Sequence, residues 1–223
     1  MENTVTPSVL LFGATGLVGG YVLEQLIADI TVLNITVISR TPIAVSKPKM
    51  KVVVSDLKNL KTISTFFNEA DTIFCCLGTT IKKVKTKEAF KAVDYDLPLA
   101  IARMAKEKGV KKFIALSSLG ADPESRNFYL RTKGEMERDI AVYQFQKLAF
   151  LRPSMLIGPR KEFRFAERMM LMLMVLITPF LRGKLKKYRA INAQSVAKAM
   201  IHISQSLNNN RVYESEELVW LGT

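Results

Sequence analysis

Two hydrophobic periodicities alternate along this chain. Val9-Leu10-Leu11-Phe12 is a short apolar run ending at a glycine loop, and Leu17 to Ile27 then repeats its apolar positions at helical spacing. Ile35-Thr36-Val37-Ile38-Ser39, Val52-Val53-Val54, Thr72-Ile73-Phe74-Cys75-Cys76-Leu77, Lys112-Phe113-Ile114-Ala115-Leu116-Ser117 and Leu148-Ala149-Phe150-Leu151-Arg152 predict five further strands. The second to fourth strands are apolar on both faces, as strands covered by helices on each side must be. Between the strands the spacing predicts helices at Leu57 to Asn68, Lys87 to Lys108 and Tyr129 to Phe145, with a kink or a fresh start at Pro98. This alternation predicts an α/β fold, a doubly wound parallel sheet with right-handed crossovers and flanking helices.

After Pro153 the pattern loosens. A very apolar stretch is followed by a helix from Ser195 to Ser206 and a short strand, Leu218-Val219-Trp220-Leu221. Residues 154–223 are expected to form a small substrate-side extension folded over the carboxyl edge of the sheet, where ligands of such sheets sit. At 223 residues the chain is too short for separate cofactor and substrate domains, so one domain is expected, with a core at 8–153.

Composition adds three points. An apolar share of 48% with 24% charged residues excludes disordered and collagenous classes. The two cysteines, Cys75 and Cys76, are strand neighbours that point to opposite faces, so neither a disulfide nor a metal site is expected. The polar start, Met1 to Pro7, lacks the basic region and apolar stretch of a secretory signal, and a cytoplasmic location is the expectation drawn from it.

The glycine loop carries the first chemistry. Gly13, Gly16 and Gly19 have GxxGxxG spacing directly after the first strand, in the segment Gly13-Ala14-Thr15-Gly16-Leu17-Val18-Gly19. Gly13 permits a tight turn, Gly16 lets backbone approach a pyrophosphate, and Gly19 allows helix to pack closely on strand. The helix N-terminus itself favours the negative charge. In this strand-loop-helix context a dinucleotide site of Rossmann-like type is a better reading than a plain structural turn.

A carboxylate at the end of the second strand would bind the free hydroxyls of an NAD ribose. Ser39-Arg40 stands there instead, and a guanidinium can pair with a 2′-phosphate, which favours NADP(H) over NAD(H). A solvated surface arginine is the alternative. Asp56, after the third strand, is placed to accept a bond from the adenine amino group or else to cap the helix expected from Leu57.

Tyr129 and Lys133, four residues apart, share one helix face. A nearby cation stabilises phenolate, so Tyr129 could exchange a proton with a carbonyl or hydroxyl while hydride moves, and Lys133 could also bind the nicotinamide ribose. Ser117-Ser118 ends the fifth strand at the same edge, and Ser118 is preferred over Ser117 for polarising the substrate oxygen. The bland reading of Tyr129 and Lys133 is an exposed helix pair.

The glycine loop, Ser117-Ser118, Tyr129/Lys133 and Leu151-Arg152-Pro153-Ser154 together resemble the atypical branch of the short-chain dehydrogenase/reductase superfamily. More narrowly, Phe74-Cys75-Cys76-Leu77-Gly78-Thr79-Thr80, Ser117-Ser118-Leu119-Gly120-Ala121-Asp122 and Tyr129-Leu130-Arg131-Thr132-Lys133-Gly134-Glu135-Met136-Glu137 resemble the Tat-interacting-protein oxidoreductase-like family. The resemblance implies catalytic roles for Ser118, Tyr129 and Lys133. It also implies that Leu77, Gly78 and Thr79 line the adenosine side of the cofactor, with Pro153 and Met155 near the nicotinamide.

The net charge of +13 is concentrated late in the chain. Between Arg160 and Arg189 stand Arg160, Lys161, Arg164, Arg168, Arg182, Lys184, Lys186, Lys187 and Arg189, against Glu162 and Glu167 alone. No zinc pattern, helix-turn-helix or aromatic RNA-binding motif accompanies them, which argues against nucleic acid. Met169 to Ile177 is entirely apolar, and far short of the roughly 20 residues that span a bilayer. A buried helix over the pocket or a subunit interface precedes a helix lying on an anionic membrane through 160–189, because the run has no polar face. His202 reads as a packed helix residue, and Asp94 and Asp96 as helix-cap or surface charges near Pro98.

Two functions follow. One is an oxidoreductase acting on an unidentified small carbonyl or alcohol; the other is a regulatory protein that senses NADP(H) with weak or no catalysis. Monomer and homodimer both remain open.

Overall fold

The computed structural model describes residues 8–44, 47–159, 188–206 and 211–223. The first strand, β1 (Ser8–Phe12), leads through the glycine loop into α1 (Leu17–Ala28), then β2 (Asn34–Ser39) and β3 (Met50–Val54). A 3-10 turn (Leu60–Ile63) and α2 (Thr65–Asn68) precede β4 (Thr72–Cys75). Next come α3 (Ile81–Val84), α4 (Lys87–Lys91), a π-helical turn (Ala92–Asp96) and α5 (Leu97–Glu107). β5 (Lys112–Leu116), α6 (Phe128–Ala141) and β6 (Lys147–Arg152) follow. The described chain ends with β7 (Leu156–Ile157), β8 (Ile191–Asn192), α7 (Ala193–Gln205), β9 (Arg211–Glu214) and α8 (Ser215–Leu221).

Seven strands form one parallel sheet in the order β3-β2-β1-β4-β5-β6-β9. Its register explains the two-sided apolar strands. Leu11, Val37, Phe74, Ile114 and Ala149 fall in one row and pack with α1 and α7; Leu10, Ile73, Phe113 and Leu148 face α5 and α6. Cys75 and Cys76 accordingly belong to opposite layers. Strand order reverses between β1 and β4, so a crevice opens beyond their carboxyl ends.

Two expectations change, and a third is resolved. Leu57 to Asn68 is not one helix: Leu57 has φ +63°, and Ser55, Asp56 and Asn59 accept bonds from the amides two residues on. Short polar side chains thus satisfy the backbone locally and compete with a continuous helix. Of the kink or fresh start expected at Pro98, the fresh start is found: α5 begins at Leu97 with Pro98 in its first turn, after a turn in which the Leu97 amide bonds the Ala92 carbonyl, five residues back. A proline ring clashes with the carbonyl four residues earlier, here Asp94, and the wider π turn relieves that clash.

The second change concerns Leu218-Val219-Trp220-Leu221, which is helical rather than extended. Glu214 and Glu217 form a reciprocal capping box, Leu218 is buried and Trp220 is 76% exposed, so the four residues present two faces of a helix. The seventh strand is Arg211–Glu214. Arg152 fastens it, bonding Glu137 on α6 and Glu214 on β9. Of the described C-terminal elements, β9 and α7 extend the sheet and its α1-side helix layer, while β7 and β8 pair beyond the carboxyl end of β6, where a Cβ on Gly158 would stand 3.0 Å from the Leu17 side chain at the cofactor loop. The Met-rich run 169–177 and the basic cluster up to 187 lie outside the described residues.

Candidate cofactor and active site

Glycine sets the geometry of the β1–α1 loop. Gly13 has φ +83°, and a Cβ there would stand 2.5 Å from the Cys76 carbonyl oxygen. At Gly19 a Cβ would stand 2.2 Å from the Gly13 oxygen, so α1 reaches this close to the strand only without a side chain. Gly16 caps α1 with no side-chain bond, leaving the first amides of the helix open to an anion. Val18 and Gly19 are buried and Leu17 is half-buried, so this half of the loop can offer a ligand its amides only.

A cleft of about 750 Å³ opens here, within the usual range for small-molecule sites. Gly13, Thr15 and Gly16 form its floor; Ser39, Arg40 and Asp56 lie on one side and Leu77, Gly78 and Thr79 on the other. Lys58 and Lys83 also line it, neither singled out from sequence, and so does Asp96, which the sequence read as a helix-cap or surface charge. Arg40 is exposed and makes no hydrogen bond or ion pair with any described residue, while the Ser39 hydroxyl accepts the Thr41 amide at 3.3 Å. Asp56 is exposed and accepts the Lys58 amide at 3.0 Å, capping a turn rather than a helix.

The second cluster is built by α6. Asn127 caps it by accepting the Tyr129 and Leu130 amides at 2.9 and 3.3 Å. A Cβ on Gly134 would stand 2.2 Å from the backbone of Asp122 and Pro123, so this glycine lets α6 press onto the loop after β5. Tyr129 is half-buried, its ring 5.6 Å from that of Phe90. In the same loop Ser118 is half-buried, and the Ser117 hydroxyl is buried without a hydrogen bond among the described residues. Pro153 adjoins both serines, its carbonyl accepting the Leu119 amide at 3.0 Å, and the Met155 carbonyl accepts the Ile191 amide at 2.9 Å.

Lys133 is almost completely enclosed, with Nζ 2.8 Å from Asp94 Oδ1, and the other Asp94 oxygen accepts the Thr79 amide at 2.8 Å. Asp94 is therefore not a cap or surface charge, as its sequence context suggested, but a buried partner. The π turn points it inward, and its spacing of four residues before Pro98 was the available signal. Burial works against the Lys133 ammonium, yet the nearby Asp94 and Tyr129 hold its pKa above the usual 10.5. Burial pushes the Cys75 thiol up to about 11 and that of Cys76 further still.

Ser118, Tyr129, Lys133, Pro153 and Met155 do not line the cleft itself. Gly78 joins the two clusters, since it borders the cleft and a Cβ on it would lie 4.0 Å from Lys133 Nζ. Among the described residues no group of three His, Cys, Asp or Glu side chains could hold a metal ion, and no helix is long and apolar enough to cross a membrane.

The profile of the NAD(P)H-binding family matches residues 13–165. Protein fmp52, mitochondrial, of Emericella nidulans is 32% identical over 96% of this chain and 94% of its own. Protein HTATIP2 of Rattus norvegicus is 35% identical over 72% of this chain and 67% of its own. In fold, the Bordetella bronchiseptica enzyme WbmH, solved in complex with NAD+, superposes with TM-score 0.71 at 12% identity, covering 94% of this chain and 75% of that one. The fungal names overturn the cytoplasmic expectation, since the Aspergillus niger and Debaryomyces hansenii relatives are also named mitochondrial. That expectation weighs only the features of a secretory signal, and mitochondrial addresses are read from other features. With the glycine loop, the seven-stranded sheet and these relatives in hand, the chain belongs to the NAD(P)H-binding family and has the fold of the short-chain dehydrogenases and epimerases.

Proposed function

We propose that this protein is an NADP(H)-dependent oxidoreductase that interconverts a carbonyl and an alcohol. The observation that carries the reading is the cleft in which the open N-terminus of α1 and Arg40, which has no partner among the described residues, line one continuous space. That donor set suits a dinucleotide: amides and a helix dipole for the pyrophosphate, a free guanidinium for a 2′-phosphate. When bound, the nicotinamide supplies or accepts a hydride. Tyr129 then gives a proton to the carbonyl oxygen or takes one from the alcohol, Ser118 polarises that oxygen, and Lys133 donates to the ribose. Leu77, Gly78 and Thr79 border the adenosine side, and Pro153 and Met155 the nicotinamide side.

Screening carbonyl compounds for NADPH oxidation, with wild type and Tyr129→Phe, tests the reading. Turnover should drop by at least about a hundredfold in the variant while NADPH binding persists. A variant with full turnover would overturn the assigned chemistry.

A second reading, an NADP(H) sensor with weak or no catalysis, draws on the Lys133–Asp94 pair. A cation neutralised at 2.8 Å stabilises a phenolate less than a free one. NADPH-dependent binding of a partner, without turnover of any carbonyl, would favour it.

A further inference from the structure

Asp94 stands where the Lys87–Glu107 helical stretch changes pitch. The π turn carries its carboxylate inward, only 1% exposed, between two elements that meet at the cleft. One oxygen lies 2.8 Å from Lys133 Nζ on α6, and the other accepts the amide of Thr79 after β4. Gly78 covers the pair, and a Cβ there would be 3.5 Å from Asp94 Oδ1. One carboxylate therefore ties the loop on the adenosine side to the lysine on the nicotinamide side.

We propose that Asp94 is a positioning residue for cofactor binding, its carboxylate holding the Lys133 ammonium in register with the Leu77–Thr79 loop. The proposal rests on the reading above in which Lys133 touches the cofactor. An ammonium carries three donors, and the Asp94 carboxylate is the one ion-pair partner of Lys133 among the described residues, which leaves donors for ribose hydroxyls. The pair also preserves the charge. Tyr129 on α6 and Cys75 on β4 are the other titratable groups facing the ammonium, and Asp94 is the carboxylate among them. Without it, burial would drive the lysine towards its neutral form.

The test is NADPH binding to the full chain, followed by fluorescence between pH 7 and pH 9.5. Wild type should bind with constant affinity, and Lys133→Met about tenfold more weakly throughout. Asp94→Asn should weaken as pH rises and reach the Lys133→Met level by pH 9.5, with the double variant no weaker than Lys133→Met. A pH-independent Asp94→Asn with wild-type affinity would overturn the positioning role. Wild-type affinity in Lys133→Met would instead overturn the reading of Lys133 as a cofactor contact.

Should Asp94→Asn fail to fold, the wild type labelled with 15N-lysine decides. A slowly exchanging ammonium signal that persists at pH 9.5, shifts with NADPH and is missing in Lys133→Met is expected. No such signal without NADPH would overturn the Asp94 tether; a signal unmoved by NADPH would overturn the cofactor contact.

Discussion

Lys133 Nζ and Asp94 Oδ1 lie 2.8 Å apart, in side chains that are 4% and 1% exposed. The pair sets a response to alkali. Its lysine has a folded pKa above the unfolded 10.5, so the contribution is present in full below 10.5 and lost as pH rises through the folded value. Removing one partner leaves the other buried and uncompensated, so Lys133→Met should cost about 3–5 kcal/mol at neutral pH. In urea titrations that deficit is expected to hold up to pH 10 and shrink above 10.5. A deficit that is the same at every pH would show that the pair does not titrate as described.

Arg40 should decide between the two dinucleotides. A charge-assisted bond to a 2′-phosphate is worth about 1.5–3 kcal/mol, so Arg40→Ala should weaken NADPH by roughly ten- to hundredfold and leave NADH nearly unchanged. Parallel titrations of both cofactors measure this. Equal losses for the two would place the guanidinium away from the phosphate.

Two glycines give opposite expectations. In Gly134→Ala the new Cβ meets the Asp122–Pro123 backbone at 2.2 Å, and backbone cannot step aside as a side chain can. A loss of about 1–3 kcal/mol is expected, with weaker NADPH binding as α6 shifts. Gly20→Ala, whose Cβ would find its nearest neighbour at 3.6 Å, should be neutral or stabilising by up to about 1 kcal/mol, since alanine favours the helix. Thermal melting of both variants separates the two outcomes.

The paired cysteines should be inert in the folded protein. The thiolate is the reactive species, and Cys75 is held as thiol by a pKa of about 11, Cys76 by a higher one. Iodoacetamide at pH 8 should label neither, and both once guanidinium unfolds the chain. Rapid labelling of the native protein would mean that β4 opens readily.

Much of this architecture was legible in local pattern, for a physical reason. A strand buried on both faces must be apolar throughout, so β1, β2, β4, β5 and β6 announced themselves, and a loop that grips backbone against backbone must use glycine where it does. Gly13, Gly16 and Gly19 met that need, and Ser39, Arg40, Asp56 and Leu77 to Thr79 reached the same cleft because parallel strands bring all their carboxyl ends to one edge. The helix at Leu218 was missed because four apolar residues read alike in strand and helix, and only the capping box and the single buried face distinguish them.

Sequence alone therefore determined the alternation of strands and helices, the doubly wound parallel sheet and the residues gathered at its edge. Tertiary structure decided what those residues face. Asp94 looked like a surface charge because its spacing near Pro98 is that of a helix end. Its burial follows from a π turn, from α6 seated on Gly134, and from Lys133 arriving on a distant helix to compensate it. A buried charge is tolerable only when its partner is present, and the partner lies on an element that no local pattern could bring to it.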